Sequence, residues 1–289
     1  MIERSKPALL LGIDLEDVRE HVPNGMSYQD RLEVNTQCIL QALEHWGVSA
    51  TFFTVGSVAR RYPSLLREIA QVGHEIAAHG DTHTQLAKLG PDQMEADLAR
   101  NLDALSISEC GPVKGFRAPT FSLTQDTKWV YKVLADAGIE YSSSVLPGSN
   151  PLYGWPGFGC RPRTMHSGVL EIPVAVHSRP LPPLPIAGGV YLRVLPFFLT
   201  RWACRRPDRE GPITSYLHPY DVDTEQERFM HPDLNNNRLM NALMYWNRRK
   251  VLDRLARLVK DCTVYRYCDW VQNYGDEVSR RSHEPTIVR

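Results

Sequence analysis

The chain has 289 residues, and 33 lysines and arginines balance 33 aspartates and glutamates, so the formal net charge is zero. That balance speaks against a nucleic-acid binder, which needs excess basic residues to displace counterions from phosphates. With 43% hydrophobic and 23% charged residues, the composition excludes intrinsic disorder and suits a large globular core.

The apolar run at residues 8–13 predicts a buried strand. It superficially resembles an export signal, but it is short, lacks a small-residue cleavage site and runs into acids, so no leader is expected. A helix follows over residues 28–46, with Leu32, Ile39, Leu40, Leu43 and Trp46 on one face and Gly47 as its stop. Residues 50–55 read as a strand, and a helix through Leu65, Leu66 and Ile69 ends at Gly73. A short strand at 75–78 precedes a helix opened by Pro91, with Met94, Leu98, Leu102 and Leu105 inward. Strand, helix and strand recur over 113–117, 127–137 and 139–145. The rhythm breaks over 146–189, a Pro-, Gly- and aromatic-rich stretch of the kind that forms lids or insertions. A helix near 190–206, a strand at 213–217 and a long amphipathic helix near 238–260 follow, and 276–289 read as a solvated tail.

This alternation predicts parallel strands joined by crossover helices, in a barrel or a doubly wound sheet, as one domain over residues 1–275. Six scattered cysteines (38, 110, 160, 204, 262 and 268) form no CxxC pair and read as reduced thiols of a cytoplasmic protein. No stretch is long enough to span a bilayer; the best, 190–204, is interrupted by Arg193, Pro196 and Arg201. Arg193, Arg201, Arg205 and Arg206 read as a solvated helix face, with a pyrophosphate or an acidic membrane surface as the alternative contact. Residues 180–185 read as a rigid loop across the barrel mouth, with partner recruitment through polyproline geometry as the alternative.

Ionisable residues gather just past the ends of the predicted strands: Asp14, Glu16 and Asp17 after the first, His79 and His83 after 75–78, Arg117 after 113–117, and His218 after 213–217. In a parallel barrel these ends converge on the face that carries active sites. His79 and His83 are spaced i, i+4, which on a helical turn sets both imidazoles on one side to hold one metal, with an acid of the first strand as third ligand. Such a site leaves positions open, as a catalytic zinc requires. His74, at the start of its strand, reads as structural.

In combination these segments resemble the polysaccharide deacetylases, the NodB-homology carbohydrate esterases of family 4. Gly12-Ile13-Asp14-Leu15-Glu16-Asp17 stands where that family carries its acidic first motif. His79-Gly80-Asp81-Thr82-His83 is similar to the second, with Gly where a hydroxyl residue is usual. Arg117-Ala118-Pro119-Thr120 is similar to the third, with Phe121 one place late, and Leu217-His218 to the last. Glu171-Ile172-Pro173, Gly188 through Pro196, and His218-Pro219-Tyr220-Asp221 resemble the exopolysaccharide and O-antigen branch. Where the family carries an Asp in its fourth motif, this chain has Ser142; Asp221 or Asp223 could take over its orienting role.

The resemblance implies a distorted (β/α)7 barrel and a divalent metal, zinc first, with cobalt, nickel or manganese as alternatives. It implies Asp14 as base, Arg117 as its orienter, and His218 as the acid that protonates the leaving amine. Glu16, His79 and His83 would hold the metal, with Asp17 a contender for the place of Glu16. A backbone N–H near Thr120 would share the oxyanion. Thr120, Phe121, Trp155 and Tyr220 are the expected substrate contacts; Tyr153, Trp155 and Phe158 could stack on a sugar or merely pack their loop. The expected activity is removal of an N-acyl group, acetyl first, from an amino sugar of a bacterial surface polysaccharide. The substrate would be nucleotide-linked, lipid-linked or an oligosaccharide, met in the cytoplasm, with peripheral membrane contact left open. Deformylation, cyclic-amide or ureide hydrolysis, and glycan binding without turnover are the alternatives.

Overall fold

The computed structural model describes residues 6–109, 111–148, 153–177, 184–206 and 211–283, with side chains described as far as Gly275. Cys110 and residues 180–183 of the proline-rich run lie outside the described residues. The sheet is built around β1 (Ala8–Leu15), whose Leu9, Leu10, Leu11 and Ile13 have no solvent exposure. Its continuous apolar reading follows from burial of both faces, the signature of a parallel strand under helices. The other strands are β2 (Thr51–Thr54), β3 (Glu75–Ala78), β4 (Gly115–Phe116), β5 (Tyr141–Ser142), β6 (Arg163–Thr164), β7 (Leu170–Glu171), β8 (Ile213–Leu217) and β9 (Thr263–Tyr265). They run in the order β6-β7-β5-β4-β3-β2-β1-β8, with β9 beside the first half of β1; every pairing is parallel except β6 with β7. This curled mixed sheet with helices around it is the expected distorted (β/α) barrel. Across the gap between β7 and β8, the N–H of Ala175 donates to Oγ1 of Thr214 at 2.6 Å.

The helices are α1 (Leu32–Trp46), α2 (Gly56–Arg61), α3 (Pro63–Gln71), α4 (Pro91–Leu105), α5 (Val130–Asp136), α6 (Gly189–Val194), α7 (Phe197–Cys204), α8 (Pro219–Val222), α9 (Arg238–Tyr245), α10 (Val251–Asp261) and α11 (Tyr267–His283). α1 buries Leu32, Ile39, Leu40 and Leu43 and stops at Gly47, whose left-handed φ of 65° suits its missing Cβ.

Several elements differ from expectation. The helix predicted over 190–206 is two, α6 and α7, because Pro196 has no N–H to continue the ladder. The helix predicted over 238–260 divides into α9 and α10 at Asn247, which has φ 56°. Residues 146–189 are not wholly an insertion: β7 pairs parallel with β5 and belongs to the sheet. β9 and α11 carry no strong periodic signal, and α11 runs into the residues read as a tail.

Candidate active site

The metal-ligating groups sit where β1 and β3 end. Alternate side chains of β1 share a face, so Asp14 and Glu16 arrive on the same side. His79 follows β3 directly, and His83 returns beside it. The two histidines are not on a helical turn, as their spacing had suggested. They converge through an irregular loop in which Gly80 has φ 78° and His83 φ 53°. This explains the Gly at position 80: a side chain there would be strained, and its Cβ would stand 3.2 Å from Oδ2 of Asp97. That oxygen accepts the N–H of Asp81 at 2.8 Å and fixes the loop.

Nδ1 of His79 lies 2.7 Å from the carbonyl of Arg117. A carbonyl can only accept, so Nδ1 carries the proton and the Nε2 lone pair is left to face Glu16, 3.8 Å away. Nε2 of His83 is 2.5 Å from the same Oε2 of Glu16. One donor atom each from Glu16, His79 and His83 lies within 4.8 Å of the other two. Oε2 of Glu16 is buried without a hydrogen bond of acceptable alignment, an orphan that a cation would satisfy. The donor set fits a divalent first-row metal without selecting one. Burial would raise the Glu16 carboxyl, but His83, His218 and His79 hold it well below the usual carboxylate range. Burial pushes His79 down to about 4, leaving it neutral as a ligand must be.

Asp17 is occupied elsewhere. It caps the short turn Val18–His21 by accepting the N–H of Arg19, and pairs with Arg19 at 2.7 Å and Arg61 at 2.9 Å. His74 is structural, its Nδ1 accepting the N–H of Ala50 at 3.2 Å.

Beside the cluster, Nη1 of Arg117 meets Oδ1 of Asp14 at 2.5 Å, with both side chains buried. Nη2 donates to the hydroxyl of Tyr267 at 2.7 Å, Nε to the carbonyl of Ser143 at 3.3 Å, and the guanidinium lies over the Phe53 ring. Burial opposes the charge of Arg117, yet Asp14 more than restores it.

His218 follows β8 and faces both acids, with Nε2 at 3.7 Å from Oε1 of Glu16 and 3.9 Å from Oδ2 of Asp14. Its Nδ1–H donates to Oδ2 of Asp221 at 2.9 Å, and Tyr220 stacks on its ring. Burial disfavours the imidazolium, but Glu16, the hydrogen bond and charge of Asp221, and Asp14 push His218 up to about 9. Behind it, Nη2 of Arg193 lies 2.9 Å from Oδ1 of Asp221. The alignment is too poor for a directed hydrogen bond, so charge carries the contact. Arg193 is fully buried and is not part of a solvated face; Arg201 and Arg205 both pair with Asp261. Sequence reasoning missed Arg193 and Tyr267; the resemblance at Gly188 through Pro196 contains the first, and nothing local marks the second. Asp223, the other acid considered beside Asp221, pairs with Arg31 instead.

Ser142 bonds the Ser144 hydroxyl at 2.8 Å. In register beside it, Glu171 of β7 accepts the N–H groups of Ser144 and Val145, so an acid on the neighbouring strand holds the turn after β5.

These groups open into a cleft of about 510 Å³ lined by Asp14, Glu16, His79, His83, His218 and, among others, Thr120, Phe121, Tyr216 and Tyr220. Thr120 and Phe121 both adopt left-handed backbone, at φ 55° and 54°, the kind of strain that marks functional turns. Trp155, expected at the substrate, is not among the lining residues. It packs edge-on against the buried Phe158, whose ring carries Arg163. Phe158 is thus a packing residue, and the described cleft takes its aromatic surface from Phe121, Tyr216 and Tyr220.

Fold and site together define a distorted (β/α) barrel with three residues placed to hold a metal at the carboxyl ends of its strands. Residues 24–142 match the polysaccharide deacetylase family, and residues 143–272 match a family described only as a domain of unknown function, DUF3473. The chain is 34% identical over 95 residues to a peptidoglycan-N-acetylglucosamine deacetylase of Bacillus cereus, covering 32% of this chain and 34% of that protein. With a chitooligosaccharide deacetylase of Sinorhizobium fredii it shares 32% identity over 108 residues, 37% of this chain and 48% of the other. The chain thus spans between a third and a half of these relatives. A crystal structure of a Mycobacterium smegmatis protein, provisionally described as a polysaccharide deacetylase, superposes with TM-score 0.63 at 21% identity, covering 100% of this chain and 96% of that one. A cobalt-bound family 4 acetyl xylan esterase from Clostridium thermocellum gives 0.50 at 15%, covering 93% and 92%. At those identities the two structures speak for the fold alone.

Proposed function

We propose that the chain is a metal-dependent N-deacetylase that removes an acyl group, acetyl first, from an amino sugar destined for a bacterial surface polysaccharide. The observation that carries this reading is the approach of His218 to within 4 Å of both Asp14 and Glu16, at the cluster of Glu16, His79 and His83. A proton acceptor and a proton donor thus share one cleft with a metal site. The names of the Bacillus and Sinorhizobium relatives, a peptidoglycan-N-acetylglucosamine deacetylase and a chitooligosaccharide deacetylase, support the substrate class.

A divalent cation held by Glu16, His79 and His83 would polarise the acyl carbonyl and acidify water, and zinc is the first ion to test. Asp14 takes the proton from the attacking water. Arg117 holds that carboxylate in place through their buried contact. His218, whose Nδ1–H is held by Asp221, gives its proton to the leaving amine, without which the C–N bond does not break. The backbone N–H of Thr120, in the left-handed turn, would donate to the oxyanion, while that of Phe121 is held by the Ala118 carbonyl at 3.1 Å.

The test is release of acid from N-acetyl and N-formyl amino sugars, free, nucleotide-linked and lipid-linked, with and without chelator. Chelator-sensitive acetate release is expected. Formate release would reassign the acyl group, and binding of every sugar with turnover of none would overturn the enzyme reading.

A further inference from the structure

Nine large hydrophobic side chains are exposed among the described residues, and six of them are Val194, Phe198, Trp202, Leu239, Met240 and Trp246. They belong to α6, α7, α9 and the turn after α9. Phe198 is 70% exposed, Leu239 73% and Trp246 58%. α9 has no buried residue at all. It is fastened to α6 from beneath, where Nη1 of the buried Arg193 donates to the carbonyl of Met244 at 2.5 Å. Arg254 of α10 donates to the carbonyls of Arg193 and Leu195 at the corner between α6 and α7. The three helices therefore present their apolar side chains from one tied assembly.

The exposed charge beside these residues is basic. Residues 190–206 and 238–250 contain no acid; of their cations Arg193 and Arg248 are buried, and Arg201 and Arg205 share Asp261. Arg206 lies over the Trp202 ring, and Arg254 and Arg257 lie against Phe197. Arg238, Arg249 and Lys250 are exposed. Apolar and aromatic side chains interleaved with arginine and lysine are what a membrane interface selects: rings and alkyl groups enter the headgroup boundary while cations meet lipid phosphates.

We propose that the face made by α6, α7 and α9 seats the protein on an anionic phospholipid bilayer. α9 also supplies Met244 to the wall of the cleft, and Leu234, before α9, lines it too. Docking would bring the cleft to the bilayer surface, where a lipid-linked saccharide is held. The proposal concerns attachment and stands whether or not the chain turns that saccharide over.

The test is flotation of the full chain with vesicles of phosphatidylcholine alone and of phosphatidylcholine with an equal part of phosphatidylglycerol. Binding to the anionic vesicles only, weakened by salt, is expected. Phe198→Glu with Leu239→Glu should lower that partition about tenfold, with metal content and thermal midpoint unchanged. Met26→Glu, at an exposed hydrophobic elsewhere, should bind like the parent. As an independent reading, lipids brominated in the acyl chain should quench tryptophan emission, and Trp202→Phe with Trp246→Phe should lose that quenching. Equal binding to both vesicle types, binding to neither, or an unaffected double Glu variant would each overturn the proposal. So would lipid-free self-association abolished by the same double variant, since the face would then belong to a second copy.

Discussion

Asp221 stands between His218 and Arg193: one carboxylate oxygen accepts Nδ1–H of the imidazole at 2.9 Å, and the other faces the guanidinium at 2.9 Å. Burial would raise Asp221, but Arg193 first and then His218 hold it far below the usual carboxylate range. Asp221 lies three residues beyond the histidine, in the turn that opens α8. Its position is local to the group it serves, and Arg193 keeps it charged.

Asp221→Asn should therefore do two separable things. Turnover should fall by about two orders of magnitude or more, as the imidazole loses its proton and orientation. Stability should fall by about 3–5 kcal/mol, because Arg193 is left buried without a counter-charge. Adding Arg193→Met should restore much of the stability and none of the turnover. Denaturant titration and steady-state kinetics on the two variants distinguish these effects; joint recovery would reduce Asp221 to a structural role.

Gly12 presses on the arginine that holds Asp14. A Cβ there would lie 2.7 Å from Nη1 and 2.9 Å from Nη2 of Arg117. Arg117 has no room to yield, being fully buried among Phe53, Tyr267 and Ser143. Gly12→Ala should draw Arg117 off Asp14 and lower kcat by about a hundredfold, the scale of an ångström's misplacement. Metal content should not change. Normal kcat would mean that the Asp14–Arg117 contact does not matter to the reaction.

The parts of the site legible in the sequence are those at strand ends. Asp14, His79, Arg117 and His218 each follow a short apolar run, and a parallel sheet brings such ends to one face whatever the loops do. Separations in chain hid the rest. Tyr267 reaches Arg117 across 150 positions, from a helix whose start carries no strong signal. Arg193 sits in a basic helical segment beside arginines that do reach the surface, and periodicity cannot say which one turns inward. The spacing of His79 and His83 suggested a helical turn; left-handed residues at Gly80 and His83 bring the rings together instead. Trp155 was grouped with the sugar on composition, whereas packing on Phe158 decides its place.

Two acids competed for the metal, and their surroundings make different variants diagnostic. His83→Ala removes one of three donors, so metal affinity should drop by more than about a hundredfold, beyond what loss of a supporting group costs. Asp17→Asn should leave metal stoichiometry intact and lower stability by about 1–3 kcal/mol, because Arg19 and Arg61 lose their buried partner. Elemental analysis with thermal melting reads both. Loss of metal from Asp17→Asn would move the ligand from Glu16 to Asp17.

The metal-free protein should be most stable near neutrality, with histidines of opposite shift setting the two limbs. His231 is driven down to about 3 by burial first and then by Arg248, so it is neutral when folded and takes a proton near pH 6.5 when unfolded. The unfolded state then binds more protons below about pH 6.5, and stability should be lost as pH falls from there towards 3. Burial disfavours charge on His218, but Glu16, Asp221 and Asp14 raise it to about 9, so its contribution is full below about pH 6.5 and is lost as pH rises through 9. Urea titrations of the metal-free chain across this range should show a maximum between the limbs. His231→Gln should make the acid limb shallower, with His79 and His74, which burial pushes down to about 4, keeping the rest of it, and His218→Gln should flatten the alkaline one. A wild-type curve unchanged in His218→Gln would mean that Asp221 and Glu16 do not hold that imidazole protonated, and the assignment of the acid would fall with it.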